Sequence, residues 1–95
     1  MNSANWLCYI LECVDGTFYT GITNSINVRL AKHDAGIASK YTRGRLPVKL
    51  IYEEFCGSKS NALKREYAIK KLSREKKEAL VFEYEESLKR RIERT

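Results

Sequence analysis

Tyr9, in Cys8-Tyr9-Ile10, and Tyr19, in Tyr19-Thr20-Gly21, stand on either side of the turn signal Asp15-Gly16, and a basic segment carrying Arg29 and His33 follows. Arg29 and His33 are four apart, so any helix that holds them presents both on one face. Two phenols, a guanidinium and an imidazole can together surround a phosphate. Hydrolysis of a phosphodiester needs an activated water, positive charge on the pentacovalent phosphate, and a leaving group that is protonated or metal-bound. Arg29 can donate two parallel hydrogen bonds to phosphate oxygens and stays charged throughout. His33 titrates near neutrality and can act as base, acid or phosphate donor. A free phenol loses its proton near pH ~10, so Tyr9 needs Arg29, Lys40 or a metal-bound water to lower that value before it can serve as a base. Gly21 leaves the strand open to close approach by a phosphate or a neighbouring backbone.

The remaining requirement, a site for a cation, points to Glu66. At ~100° per residue on a helix, its direction falls between those of Ala62 and Leu63, inside an apolar arc. A carboxylate buried there alone is costly or takes up a proton, so a cation, an arginine or water must meet it. The arc is broad enough to include Arg65 and Lys70, and the residues leave a salt bridge and a metal ligand both open. Magnesium accepts hard oxygen ligands and often keeps several waters, so one carboxylate plus a substrate phosphate can suffice for it.

These groups cooperate only if the chain brings them together. Residues 6–13 and Phe18 to Thr23 read as two strands, with Val14-Asp15-Gly16 between them as the turn of a hairpin. The loop length is decisive, because side chains alternate faces along a strand. A two-residue loop pairs Val14 with Thr17 and sends the two phenols to opposite faces. A three-residue loop with Gly16 in the left-handed conformation pairs Cys13 with Thr17 and puts both on one face. A shared site requires the second. Asn24 or Ser25 can cap a helix from about Ile26 to Ala35, ended by Gly36, with Ile26 and Leu30 turned inward. Arg29 and His33 are then expected to border the sheet rather than fill the core. Ser39 to Arg45 reads as a polar, basic loop, and Pro47 opens a third strand through about Phe55. Ser58 or Ser60 caps a helix to about Leu72. Ser73 caps another that reaches Arg94, with Leu80, Tyr84, Leu88 and Ile92 stacked at i+4.

The order Tyr, Tyr-x-Gly, Arg, His and a later Glu resembles the GIY-YIG endonuclease superfamily, above all its small stand-alone bacterial-type members, over roughly residues 6–82. The resemblance implies an α+β fold: a small three-stranded, largely antiparallel sheet flanked by helices, in the order β-β-α-β-α-α. It implies one domain over residues 1–95 and a single Mg2+ or Mn2+ site serving hydrolysis of DNA. In that scheme Tyr9 deprotonates or orients the attacking water, Tyr19 positions phosphate or water, Arg29 and His33 complete the set, and Glu66 is the single protein carboxylate on the metal. Tyr41 matches the aromatic position that follows the histidine in the small members, either lining the site or anchoring its loop. The chain departs from the pattern twice. Its first motif reads Cys-Tyr-Ile in place of Gly-Ile-Tyr, and no Asn or Gln follows Glu66. Lys70 or Lys71 can supply charge there but not an amide's acceptor.

Length and composition bound the rest. Ninety-five residues bury only ~60–65% of the unfolded surface and support one core, so any site is shallow. A hydrophobic fraction of 43% with 32% charged residues is that of an ordinary globular protein, neither disordered nor membrane-embedded. The longest apolar run, Trp6 to Leu11, is far short of a bilayer span, and Met1-Asn2-Ser3 lacks the pattern of a secretory signal; a cytoplasmic protein is expected. Cys8, Cys13 and Cys56 with one histidine make no zinc pattern and read as reduced packing residues. The net charge of +6 is uneven: residues 1–57 hold six Lys/Arg against five Asp/Glu, residues 58–95 twelve against seven. A cationic surface of this kind suits nucleic acid, with Lys32, Lys40, Arg43 and Arg45 as further phosphate contacts. The alternative is a solvated face. The functions that follow are a metal-dependent DNA endonuclease directed at structure or single strands, with a partner protein for targeting, or a nucleic-acid-binding module of the same fold with little or no cleavage. In the binding module Tyr41 stacks a base. A third, an interaction domain using the C-terminal helix, rests on that helix alone.

Overall fold

The computed structural model describes residues 5–94. The reading of Met1-Asn2-Ser3 lies outside these residues. Strand β1, Trp6–Glu12, is dense in apolar residues and buried along its centre, so it takes the middle of the sheet. Strand β2, Phe18–Thr23, pairs antiparallel on one side, and β3, Lys49–Gly57, antiparallel on the other, giving the order β2-β1-β3. Cys8 and Ile10 point to one face, where they pack with Ile51, Tyr52 and Ile69 as the core. A register shift between Ile10 and Leu11 lets both Ile51 and Tyr52 bury although they are adjacent.

The hairpin has the three-residue loop. Cys13 N–H donates to Thr17 O at 2.8 Å, Gly16 N–H donates to Cys13 O at 2.9 Å, and Gly16 has φ +83°. This fixes Tyr9 opposite Gly21 and Leu11 opposite Tyr19, so both phenols share a face.

Helix α1, Ile26–Asp34, closes at Gly36, whose φ of +78° lets Ile37 N–H reach back to Lys32 O at 3.0 Å. At its start Ser25 occupies the cap position without capping; the Thr23 hydroxyl takes the Ser25 N–H instead, at 3.0 Å. The 39–45 stretch is not all loop. Ser39 accepts from the backbone N–H of Tyr41 and Thr42 and so starts a one-turn helix, α2, Lys40–Arg43. Helix α3, Lys59–Lys70, is capped by Ser58, and α4 runs Arg74–Arg94 with the Ser73 hydroxyl accepting from Lys76 N–H. Helix α3 lies across all three strands and α4 against β3. Leu80, Val81 and Tyr84 of α4 pack on the core, whereas Ile92, at the end of the expected stripe, is 72% exposed. The element order is β-β-α-β-α-α with the extra turn α2 inserted before β3. Cys8, Cys13 and Cys56 are free thiols, the first two buried. Among the described residues no helix is long and apolar enough to cross a membrane.

Candidate active site

The face of the sheet opposite the Cys8–Ile10 core carries Tyr9 and Tyr19, and α1 delivers His33 onto it. The Tyr9 hydroxyl lies 2.9 Å from His33 Nε2, and His33 Nδ1 lies 2.9 Å from Thr42 Oγ1. All three residues are buried, with 1% of Tyr9 and none of His33 or Thr42 exposed. His33 therefore fills the interior under α1 rather than bordering the sheet, because its two ring nitrogens find partners there. Thr42 directs its hydroxyl proton at Ser39 O, at 3.4 Å, and so accepts from the imidazole. The network thereby assigns the tautomer: Nδ1 carries the proton and Nε2 accepts from the Tyr9 hydroxyl.

The electrostatics follow the burial. Burial pushes the Tyr9 phenol well above its ordinary 10.0; Tyr19 adds to this, Arg29 opposes it and the Glu66 charge adds again. Arg29 does pull in the direction expected from the sequence, but burial outweighs it. His33 is held below its ordinary 6.5, first by burial and then by Arg29, with Asp34 opposing. At neutral pH the pair is a neutral phenol donating to a neutral imidazole.

Tyr19 packs edge-on against His33, ring centroids 5.3 Å apart, and stands 6.4 Å from Tyr9. Its other neighbour is Tyr41, nearly parallel at 24° and 6.1 Å. Arg45 lies over the Tyr41 ring at 3.9 Å, donates to Tyr41 O at 2.9 Å and to Asp15 Oδ2 at 3.0 Å. Tyr41 is thus an anchor of its segment, with one ring face under Arg45 and Tyr19 alongside. The residue keeps 37% of its surface exposed. Arg45 is a brace between the hairpin turn and α2, and Lys32, Lys40 and Arg43 are exposed.

Gly21 serves a need other than phosphate approach. A Cβ at this position would stand 2.7 Å from the Tyr9 hydroxyl oxygen and 2.8 Å from Cζ, so the phenol itself occupies the space. Glu66, on α3, has a side chain only 20% exposed and meets the Lys70 ammonium at 3.1 Å. Its charge is felt at Tyr9 and at Cys8, whose thiol is pushed up to about 12 chiefly by burial and then by Cys56 and Glu66. Among the described residues no three His, Cys, Asp or Glu side chains converge. The described donors make no all-protein cage, so an ion held here would rest on Glu66, water and substrate. Lys70 already holds the place of a cation on that carboxylate.

Thr42 was not legible as part of this group. Nine residues separate it from His33, a spacing that follows no helix or strand period; only Ser39, three before Thr42, signals the turn that positions it.

This three-stranded sheet and the order of elements around it are those of a GIY-YIG domain. Residues 5–79 match the GIY-YIG catalytic domain, and the chain belongs to that family. Its relatives include a UPF0213 protein of Halobacterium salinarum, 57% identical over 76% of this chain and 94% of its own length. A UPF0213 protein of Natronomonas pharaonis is 53% identical over 83% and 93%. The solution NMR structure of the UPF0213 protein BH0048 from Bacillus halodurans superposes with a TM-score of 0.53 at 48% identity, covering 85% of this chain and 83% of that one.

Proposed function

We propose that the protein is a divalent-metal-dependent endonuclease that hydrolyses phosphodiester bonds in DNA, with Tyr9, Tyr19, Arg29 and His33 as its catalytic residues and Glu66 as metal ligand. The observation that carries this reading is the 2.9 Å contact between the Tyr9 hydroxyl and the accepting Nε2 of His33. A phenol with a raised pKa is a poor base by itself. Hydrogen-bonded to a neutral imidazole, it can take a proton from water while its own proton passes to Nε2. The resulting imidazolium keeps its Nδ1–H on Thr42 and, its pKa held low by burial and Arg29, gives the Nε2 proton back to the Tyr9 oxygen as the Tyr9 hydroxyl protonates the departing oxygen. Tyr19 stands beside this pair to hold phosphate or water by its hydroxyl. Arg29 donates to the phosphate oxygens as charge gathers on them, which lowers the barrier more than it tightens substrate binding. Glu66 would hold the ion, whose chemistry, when bound, is to offset charge on the phosphate and the departing oxygen.

The test is incubation of labelled duplex, single-stranded, flapped and branched DNA with Mg2+ or Mn2+, comparing the protein with Glu66→Ala. Metal-dependent nicking that disappears in the variant supports the enzyme. A second reading, a binding module of the same fold, is favoured by one contact: the Lys70 ammonium on Glu66, with no amide residue following. Salt-sensitive binding without product, unchanged in Glu66→Ala, would establish it.

A further inference from the structure

Beside the catalytic group lies a pocket of about 280 Å³ lined by Phe18, Tyr19, Thr20, Tyr41, Lys70 and Lys77. Tyr19 of its lining packs on His33 and Lys70 meets Glu66, so an occupant lies next to both parts of the site. Its lining residues include three aromatics and two lysines and no acidic residue, with the Lys70 ammonium meeting Glu66 outside the lining at 3.1 Å. Lys77 is half-buried and has no acidic partner among the described residues. Its ammonium is therefore available to a phosphate from outside.

The outer walls are fixed in advance. Arg74 covers one face of Phe18 at 3.7 Å and is itself held by Glu78 at 2.9 Å and by Gly16 O at 2.9 Å. Arg45 covers Tyr41 and is held by Asp15. Both clamps tie to the β1–β2 turn, so the two rings are set by the same three-residue loop that puts Tyr9 and Tyr19 on one face. Such rigidity reduces the ordering cost of binding a flat group.

We propose that this pocket seats one unpaired nucleotide adjoining the scissile linkage, its base against Phe18 and the edge of Tyr19, its phosphate between Lys70 and Lys77. The position relative to the cleaved bond rests on the nuclease reading; the ligand class rests on the pocket alone. Aromatic walls with flanking ammonium groups are the arrangement that holds single strands, since every base has a π-face and every linkage a charge. The volume of about 280 Å³ falls just below the ~300–1,000 Å³ of small-ligand pockets, a size for no more than a single nucleotide. In a duplex both faces of a base are covered by its neighbours, so the pocket selects single strands, flaps or extruded bases.

The experiment is fluorescence anisotropy with labelled oligodeoxynucleotides, single-stranded and blunt duplex, in chelator so that binding is read whether or not the protein cuts. The single strand is expected to bind at least several-fold more tightly than the duplex. Lys77→Ala should weaken single-strand binding and make its log-affinity against log-salt slope shallower by about 0.7, one phosphate contact. Lys89→Ala, which removes the same charge from the far part of α4, should change neither. Phe18→Leu, which keeps an apolar side chain against the core, should weaken binding by about tenfold and abolish the quenching of a 2-aminopurine placed in the strand. Equal binding of duplex and single strand, equal effects of Lys77→Ala and Lys89→Ala, or quenching that survives Phe18→Leu would each overturn the proposal. Absence of any cleavage with these binding results intact would remove the nuclease reading and leave the nucleotide pocket.

Discussion

The Tyr9 phenol lies across Gly21, in the space where any other residue would carry its Cβ, with the hydroxyl oxygen 2.7 Å from that point. Pairing of Tyr9 with Gly21 across the hairpin is therefore what lets the ring lie flat enough to reach His33 Nε2 at 2.9 Å. Gly21→Ala is expected to push the ring off the strand and break that bond. The cost in stability should be about 1–3 kcal/mol, the range for overpacking a tight site, read from urea unfolding. Cleavage should fall much further than the folded fraction does; a variant that is folded and fully active would show that the Tyr9–His33 contact is unnecessary.

Thr42→Val removes the acceptor of His33 Nδ1–H while nearly keeping the side chain's shape. It should cost about 1–3 kcal/mol for the unpaired buried donor. It should also release the imidazole to the other tautomer, so that Nε2 no longer accepts from Tyr9. Nitrogen chemical shifts of the single histidine distinguish the tautomers directly, and loss of turnover without a change in tautomer would contradict the proposed role.

Stability should have a plateau bounded on both sides. His33 has a folded pKa below its ordinary 6.5, so below that value the unfolded chain binds the proton first and the folded state loses ground as pH falls. Cys8, raised from 9.0 to about 12, and Tyr9, raised above 10.0, act in the opposite sense. Above pH 9.0 the unfolded chain gives up these protons first, and stability declines as pH rises. Urea midpoints across this range check both limbs, and Cys8→Ala should flatten the onset of the alkaline one. Turnover should fall on the acid side as well, because the imidazolium cannot accept from Tyr9.

With Glu66 as the proposed metal ligand, Lys70 and a divalent ion would compete for one carboxylate, which the ammonium meets at 3.1 Å. Lys70→Gln should tighten Mn2+ binding by about twofold, the scale of an exposed i,i+4 ion pair, and Glu66→Gln should abolish it. Paramagnetic resonance of free Mn2+ reads both without any cleavage assay. A tighter Mn2+ site in Glu66→Gln would place the ion elsewhere.

Arg29→Lys keeps a charge but loses the planar pair of donors. Turnover should drop by at least tenfold with a small change in KM, since the guanidinium is assigned to charge that appears only in the transition state. Steady-state kinetics on a single substrate separate the two, and an effect confined to KM would make Arg29 a binding residue only.

Much of this was readable from the chain because the relevant rules are local. Apolar density along residues 6–12, the serines before α3 and α4, and the glycine after α1 each act through neighbours a few residues away, and the sheet and helices formed where those signals stand. The hairpin register was narrowed to two choices by alternation, and Gly16 at φ +83° settled which. The expected ends differ by small amounts: β3 begins at Lys49 rather than Pro47, and α3 stops at Lys70 rather than Leu72. Fraying of this kind has no sharp sequence signal.

What the residues could not disclose depends on distances between parts of the chain that no spacing rule connects. Burial of His33 was hidden because an imidazole is polar in composition and becomes a core residue only when both nitrogens are met, here by Tyr9 from β1 and Thr42 from α2. The raised pKa of Tyr9 comes from the same burial, and the placing of Arg45 over Tyr41 depends on Asp15, 30 positions away from Arg45. The residue types and their order determined which chemistry this protein can attempt. Only the packing of α1 and α2 onto the tyrosine face decided which phenol faces which nitrogen, because burial and hydrogen-bond partners are properties of the folded solid and not of the chain.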